Sequence, residues 1–236
     1  MASRRAERAS RKVEFPFAPP RSSEATPTTR EALIAAAAVA FGEAGYDGVT
    51  IRDVERRAGV NRGLVAHHFG TKDELWSAAI DWLMGEVASE LDRYADMLDV
   101  VPAGDRPGIL MRIFVRFASR HPELFQLLIQ EGNNDSERSR MLSDRYMREL
   151  ERFWWQATGV DPDLDPASHA IRHFLLLGAS STVFAMRAYC QRMFGVDPTD
   201  EAFVERSSHV IAEMWQRVGQ VVEGDPDSPA AAAPAE

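Results

Sequence analysis

Residues 50–76 read TIRDVERRAGVNRGLVAHHFGTKDELW, and this stretch decides the fold. Thr50 precedes an apolar-periodic run and has Asp53 three places on, so its hydroxyl can cap a helix in which Ile51, Val54 and Ala58 form one stripe. Gly59 stops that helix. Only Gly59 and Val60 separate it from a third helix, which Asn61 can cap and in which Val65 and Phe69 face inward at i and i+4. Arg62, Gly63, Ala66 and His67 then face outward. Gly70 ends this helix, and Thr71 can cap a fourth that the pattern through Leu98 extends to about seven turns. Leu75, Ala79, Trp82, Leu83 and Val87 mark its buried side. Two short capped helices joined through Gly-Val, the second polar on its outer side, make a helix-turn-helix.

Upstream, Thr28 and Glu31 form a capping box, and Leu33, Ala36, Ala37, Ala40, Phe41 and Ala44 make an apolar stripe that ends at Gly45. Residues 28–83 therefore read as a three-helix DNA-binding head with the start of a longer helix. Residues 84–222 repeat apolar residues at helical spacing, with helices expected near 107–120, 122–131, 137–158, 166–193 and 199–222. Their breaks fall at HPE, EGNNDS, GVDPDLDP and GVDPT. No convincing strand pattern intervenes. The expected fold is all-α, an N-terminal helix-turn-helix domain plus a C-terminal helical bundle. Residues 1–27 read as a disordered basic arm and 223–236 as a disordered tail rich in Pro and Ala.

The chain has 236 residues, 27 Lys+Arg and 36 Asp+Glu, a net charge of -9 that taken as a total argues against nucleic acid. The distribution reverses that impression. Residues 1–72 hold 12 basic against 8 acidic residues, which leaves 15 against 28 for the remainder. A basic head on an acidic body suits a head that meets phosphate. The single cysteine, Cys190, excludes a disulfide scaffold. The longest uncharged apolar run, residues 174–186, is too short for a bilayer and reads as a buried helix. The first residues lack the apolar core of a signal peptide, so the expected location is cytoplasmic.

Chemistry assigns roles within the head. Arg62 is the best base reader, because its planar fork can bond two acceptors on guanine in a major groove about 12 Å wide. Gly63 would let the helix approach DNA closely, and Leu64 offers an apolar contact for a thymine methyl. Thr50, Arg52, His67, His68 and Lys72 are candidates for phosphate or base contacts, whereas Arg56 and Arg57 fit a solvated face.

These residues resemble the DNA-binding signature of the TetR family of transcriptional regulators, from about residue 28 to 83. The resemblance implies that Thr50 and Arg52 approach DNA from the second helix, that residues 61–68 form the recognition helix, and that Lys72 holds a phosphate. Ala66 stands where many relatives carry a tyrosine that grips the backbone, and Leu64 where threonine is common. The resemblance also implies a homodimer formed through the last two helices and a small-molecule pocket in the body. Phe114, Phe117, Phe125, Met141, Trp154, Trp155, Phe174 and Phe184 would suit an apolar effector. Phe203, Ser207, Val210, Met214, Val218 and Val221 recur at helical steps, and Gly178, Ala179, Ser180 and Ser181 permit close helix approach. Gly178, Ser181, Val210, Met214 and Val218 are thus the expected dimer contacts.

The expected function is a ligand-responsive transcriptional repressor that binds a palindromic operator on double-stranded DNA, without catalytic residues, cofactor or membrane partner. The alternative is a metal-binding or catalytic helical bundle. His169 and His173 lie at i and i+4, with His209 as a third candidate ligand.

Overall fold

The computed structural model describes residues 27–102, 104–158 and 165–222, all helix and connecting turn. The expected arm before residue 27 and the tail after 222 lie outside the described residues. The helices are α1 (Thr29–Gly48), α2 (Ile51–Arg57), α3 (Leu64–Phe69), α4 (Lys72–Asp92), α5 (Ala95–Val100), α6 (Arg106–Arg120) and α7 (Pro122–Gly132). There follows α8, in which Glu137–Met141, a π-helical stretch Leu142–Met147 and Arg148–Thr158 run on from one another. Then come α9 (Pro166–Ala185), α10 (Arg187–Phe194) and α11 (Glu201–Val222).

Reciprocal capping boxes start α1, α2 and α4, at Thr28 with Glu31, Thr50 with Asp53 and Thr71 with Glu74. Each satisfies two amide groups that a helix start leaves without partners. The regular helix of α1 gives out at Gly45, whose φ of 69° is left-handed. The long helix expected to reach Leu98 instead stops at Asp92, and α5 restarts after Tyr94. The helix expected over 166–193 is likewise two, divided at Met186.

Alpha-one is buried on two sides because it lies between the head and the body: it packs on α2 and α4 and also on α7. This explains why Ile34 and Ala38 are buried as well as the expected Leu33, Ala37 and Phe41. Each large apolar side chain so enclosed contributes about 1.5–3 kcal/mol. At Gly42 a Cβ would stand 2.9 Å from the Glu123 carbonyl oxygen, so a side chain there would push α1 off α7. In the body α6 packs most extensively against α11, while α9 touches α6, α7 and α11.

One expectation about the body fails. The run 174–186 is not buried as a whole, since Phe174 is 69% exposed and Leu175 and Met186 are also exposed. The helix presents Ser180, Ser181 and Phe184 to the protomer's core and turns Ile171, Phe174 and Leu175 to the outside.

Candidate nucleic-acid interface and ligand cavity

The helix-turn-helix is held by an acid eight residues from its nearest partner. Glu55, on α2 and 3% exposed, accepts hydrogen bonds from the Gly63 amide at 2.8 Å and the Val65 amide at 3.1 Å. It does for α3 what Asn61 was expected to do. Asn61 does not cap: Gly63 is the N-cap residue, at φ 89°, and α3 begins only at Leu64. The reason is geometric. A left-handed Gly63 turns the chain into α3 at a point where no side chain of its own can reach the helix amides, so a buried carboxylate from α2 does so. Gly63 is thus required for the turn, and a Cβ there would meet open space.

The consequence is that Asn61 and Arg62 lie in the turn before α3, while Ala66, His67 and His68 lie on it. Val65 and Phe69 are buried as expected, Leu64 and His68 are half-buried, and Asn61, Arg62, Gly63, Ala66 and His67 are exposed. Thr50 and Arg52 are exposed nearby in sequence at the start of α2, with the Thr50 hydroxyl engaged by Asp53. Neither Arg52 nor Arg62 has an ion pair among the described residues, whereas Arg56 pairs with Asp53 and Arg57 with Glu43. The two solvated arginines are therefore already neutralised.

Lys72 opens α4 with its ammonium 4.1 Å from the centre of the Tyr46 ring. The Tyr46 hydroxyl donates to Asp73 at 2.7 Å. Burial, reinforced by that carboxylate, pushes the phenol up to about 12. Arg138 of α8 lies on the same ring and also reaches Glu131 of α7. Tyr46 and Arg138 were missed in the sequence because their partners lie far along the chain.

The profile of the bacterial regulatory proteins, tetR family, matches residues 33–79, which span α1 to the first turns of α4. An HTH-type transcriptional repressor of Mycobacterium tuberculosis is 33% identical over 155 residues, covering 57% of this chain and 82% of the relative. The chain belongs to the tetR family. It is a DNA-binding transcriptional regulator with the helix-turn-helix of that family at its N-terminal end. Two further relatives match over shorter spans. The HTH-type transcriptional regulator CymR of Pseudomonas putida is 48% identical over 59 residues, 25% of this chain and 29% of the relative. The regulator BetI of Stenotrophomonas maltophilia is 33% identical over 117 residues, 43% of this chain and 60% of the relative.

In the body of this tetR-family chain, a cavity of about 60 Å³ opens between α4, α6, α7, α8, α9 and α11. Phe114, Phe117, Phe125, Trp154 and Trp155 are among its lining residues. Met141, Phe174 and Phe184 are not. Met141 precedes Met147, the first lining residue of α8, by about 9 Å of helix rise, and Phe184 lies about 10 Å beyond Leu177, the last of α9. Phe174 faces outward because the lining residues of α9 are His169, Arg172, His173, Leu176 and Leu177, a single stripe that excludes it.

The two histidines are thus cavity residues, and their i, i+4 spacing marks a shared face instead of a metal pair. Among the described residues no group of three His, Cys, Asp or Glu is placed to hold a metal. His209 instead accepts from Arg112 and lies against Glu213. Burial pushes the His173 imidazole below its ordinary value, partly opposed by the charge of Glu151.

The expected dimer residues divide. Gly178, Val210 and Met214 are exposed, and they share the surface of α9 and α11 with Ile171, Phe174 and Leu175. Ser181 is 3% exposed and its hydroxyl donates to the Leu177 carbonyl, so it belongs to the protomer's own interior. Ser180 is enclosed in the same way. The Val218 and Val221 side chains lie outside the described residues. The buried stripe of α11 is Val204, Ser208, Ile211, Ala212 and Trp215. Among the described residues no helix is long and apolar enough to cross a membrane.

Proposed function

We propose that the chain is a homodimeric repressor of the cytoplasm that reads a palindromic DNA operator and releases it when a small apolar molecule enters the body. The observation that carries the DNA half is the Glu55-capped turn. It fixes the turn into α3, around which Asn61, Arg62, Ala66 and His67 are exposed, and Arg62 has no ion pair among the described residues. Arg62 would read a base edge, while Thr50, Arg52, His67, His68 and Lys72 would meet phosphates or neighbouring bases. Gly63 and Leu64 would lie close to the groove.

The exposed apolar face of α9 and α11 supports pairing, since Phe174, Leu175, Val210 and Met214 are costly to leave in water. A two-fold pair would set the two readers one DNA turn, or a multiple of it, apart. The mycobacterial relative carries the name of a repressor, and the aromatic cavity gives an effector a place to act. Such an effector shifts the equilibrium only by its differential affinity for the two spacings. The chain acts as a regulator and not as an enzyme.

The test is titration of the purified protein against a fluorescent duplex from its own upstream region, with scrambled competitor, at two salt concentrations. Tight, competitor-resistant binding by two or four protomers per duplex is expected. Weak binding that is indifferent to sequence at both salts sinks the proposal.

A further inference from the structure

The arginines of the head fall into two sets. Arg56 is paired with Asp53 and Arg57 with Glu43, whereas Arg30, Arg52 and Arg62 have no ion pair among the described residues. Arg52 and Arg62 belong to α2 and the turn before α3, but Arg30 is exposed in the first turn of α1. Its guanidinium carbon lies 5.0 Å from the centre of the Phe69 ring. Phe69 is the last residue of α3, so this contact brings the start of α1 to the end of the recognition helix, although all of α2 separates them in sequence. The Phe69 ring stands 6.3 Å from that of His68, which stands 5.0 Å from that of the exposed His67. A chain of side-chain contacts thus runs from Arg30 to the outer side of α3.

The helix end itself offers an anion nothing, because its capping box is closed. The Glu31 carboxylate accepts from the Thr28 amide at 2.7 Å and the Thr28 hydroxyl at 2.9 Å, while that hydroxyl accepts from the Glu31 amide at 3.3 Å. The same box turns the adjacent acid back onto Thr28, and Glu31 forms no ion pair with Arg30. The Arg30 side chain is what remains. A guanidinium held against an aromatic ring keeps its edge N–H groups open, and their fork suits phosphate oxygens. A recognition helix in the major groove has a sugar-phosphate strand on either side. A cation fixed at the end of that helix therefore meets a backbone and not a base edge. Lys72, expected to hold a phosphate, follows Phe69 by only three residues, so both cations adjoin the same end of α3.

We infer that Arg30 is a DNA contact of this regulator, donating to a backbone phosphate beside the groove that α3 enters, so that the first turn of α1 belongs to the interface. This rests on the operator reading above.

Four variants of the full chain test it. Arg30→Met keeps an unbranched stem over Phe69 and removes the charge, and Arg30→Gln repeats that loss with a polar side chain. Arg30→Lys keeps the charge. Arg57→Met makes the same change in charge at an arginine already paired with Glu43. Each is titrated against the fluorescent duplex from the upstream region, and against single-base variants of it, at three salt concentrations. Arg30→Met and Arg30→Gln should unfold at the parental temperature and lower the slope of log affinity against log salt by about one per head. At a salt concentration of about 0.1 M that is a loss of roughly tenfold per head, equal on every sequence. Arg30→Lys and Arg57→Met should keep the parental slope. An unchanged slope in either folded uncharged variant overturns the inference, because Arg30 then only packs on Phe69. So does an equal fall in Arg57→Met, which would make net charge the cause, or a loss confined to one base position, which would make Arg30 a base reader. Each of these leaves the operator reading standing. A parent that does not bind the duplex at any salt overturns both.

Discussion

The guanidinium of Arg138 lies 3.6 Å from the centre of the Tyr46 ring, the same ring that carries the Lys72 ammonium at 4.1 Å. Tyr46 lies just past the left-handed Gly45 near the end of α1, Lys72 opens α4, and Arg138 belongs to α8 of the body. A residue expected to hold phosphate thus shares an aromatic partner with α8 of the body. If this ring links the two halves, removing either partner should change DNA affinity in a way that depends on the other. A double-mutant cycle with Arg138→Ala and Tyr46→Leu, read by operator affinity, should show coupling of roughly 0.5–1 kcal/mol. Strict additivity would mean that Arg138 is only packed there.

Arg62 and Lys72 should fail in different ways. Arg62→Ala should cost about 1–3 kcal/mol on the preferred operator and relax base choice at one position in each half-site. Lys72→Ala should weaken all sequences alike and reduce the slope of log affinity against log salt by about one per head. Binding measured on an operator series at three salt concentrations separates the two. Equal effects of both variants on every sequence would remove the division into reader and clamp.

The helix-turn-helix was legible in the sequence because its signals are local. Thr50 with Asp53 and Thr71 with Glu74 sit three residues apart, and the structure closes both boxes. What was not legible depends on distance along the chain. Glu55 reaches amides eight and ten residues on, so nothing beside it marks it as a cap, and Asn61 looked like the better candidate. In the body, periodicity located the helices but not their faces. Phe174 and His173 are neighbours in sequence, yet one is 69% exposed and the other lines the cavity, and only the packing of α9 on α6, α7 and α11 decides between them.

Glu55 should matter more to the head than its place on α2 suggests. With only six residues, α3 has little internal hydrogen bonding, so the two amides that Glu55 accepts are a large share of what fixes its start. Glu55→Ala should destabilise the protein by about 1–3 kcal/mol in urea unfolding and weaken operator binding, whereas Glu55→Gln, which retains an accepting oxygen, should lose less. An alanine variant as stable and as tight on DNA as the parent would show that the turn holds itself.

Acid should loosen the body through His173. Its pKa is lowered by burial, so the unfolded chain binds a proton more readily than the folded one just below the ordinary histidine value. The stability it contributes is complete above a pH of about 6.5 and is lost as the pH falls below that. Urea unfolding at pH 7.5 and 5.5 should therefore show a smaller loss for His173→Phe than for the parent. The same loss in both would place the acid sensitivity elsewhere.

The exposed face of α9 and α11 makes the last prediction, because its composition is otherwise hard to reconcile with a protomer alone in water. Phe174, Leu175, Val210 and Met214 are exposed, while the same two helices bury Ser180, Ser181 and Ser208. The same helices also bury Phe184, Val204, Ile211 and Trp215, so the exposed apolar side chains lie beyond those that fill the protomer's core, and a second protomer laid across them would remove them from water. Phe174→Glu combined with Val210→Glu would put two charges from each protomer into the contact without disturbing either helix's buried stripe. Sedimentation should show a monomer of parental thermal stability or slightly below it. Operator affinity should fall by at least about tenfold, since each half-site must then be bound without its partner's contribution. A variant that remains dimeric would move the interface to another face, and a monomer with undiminished affinity would separate DNA reading from pairing altogether.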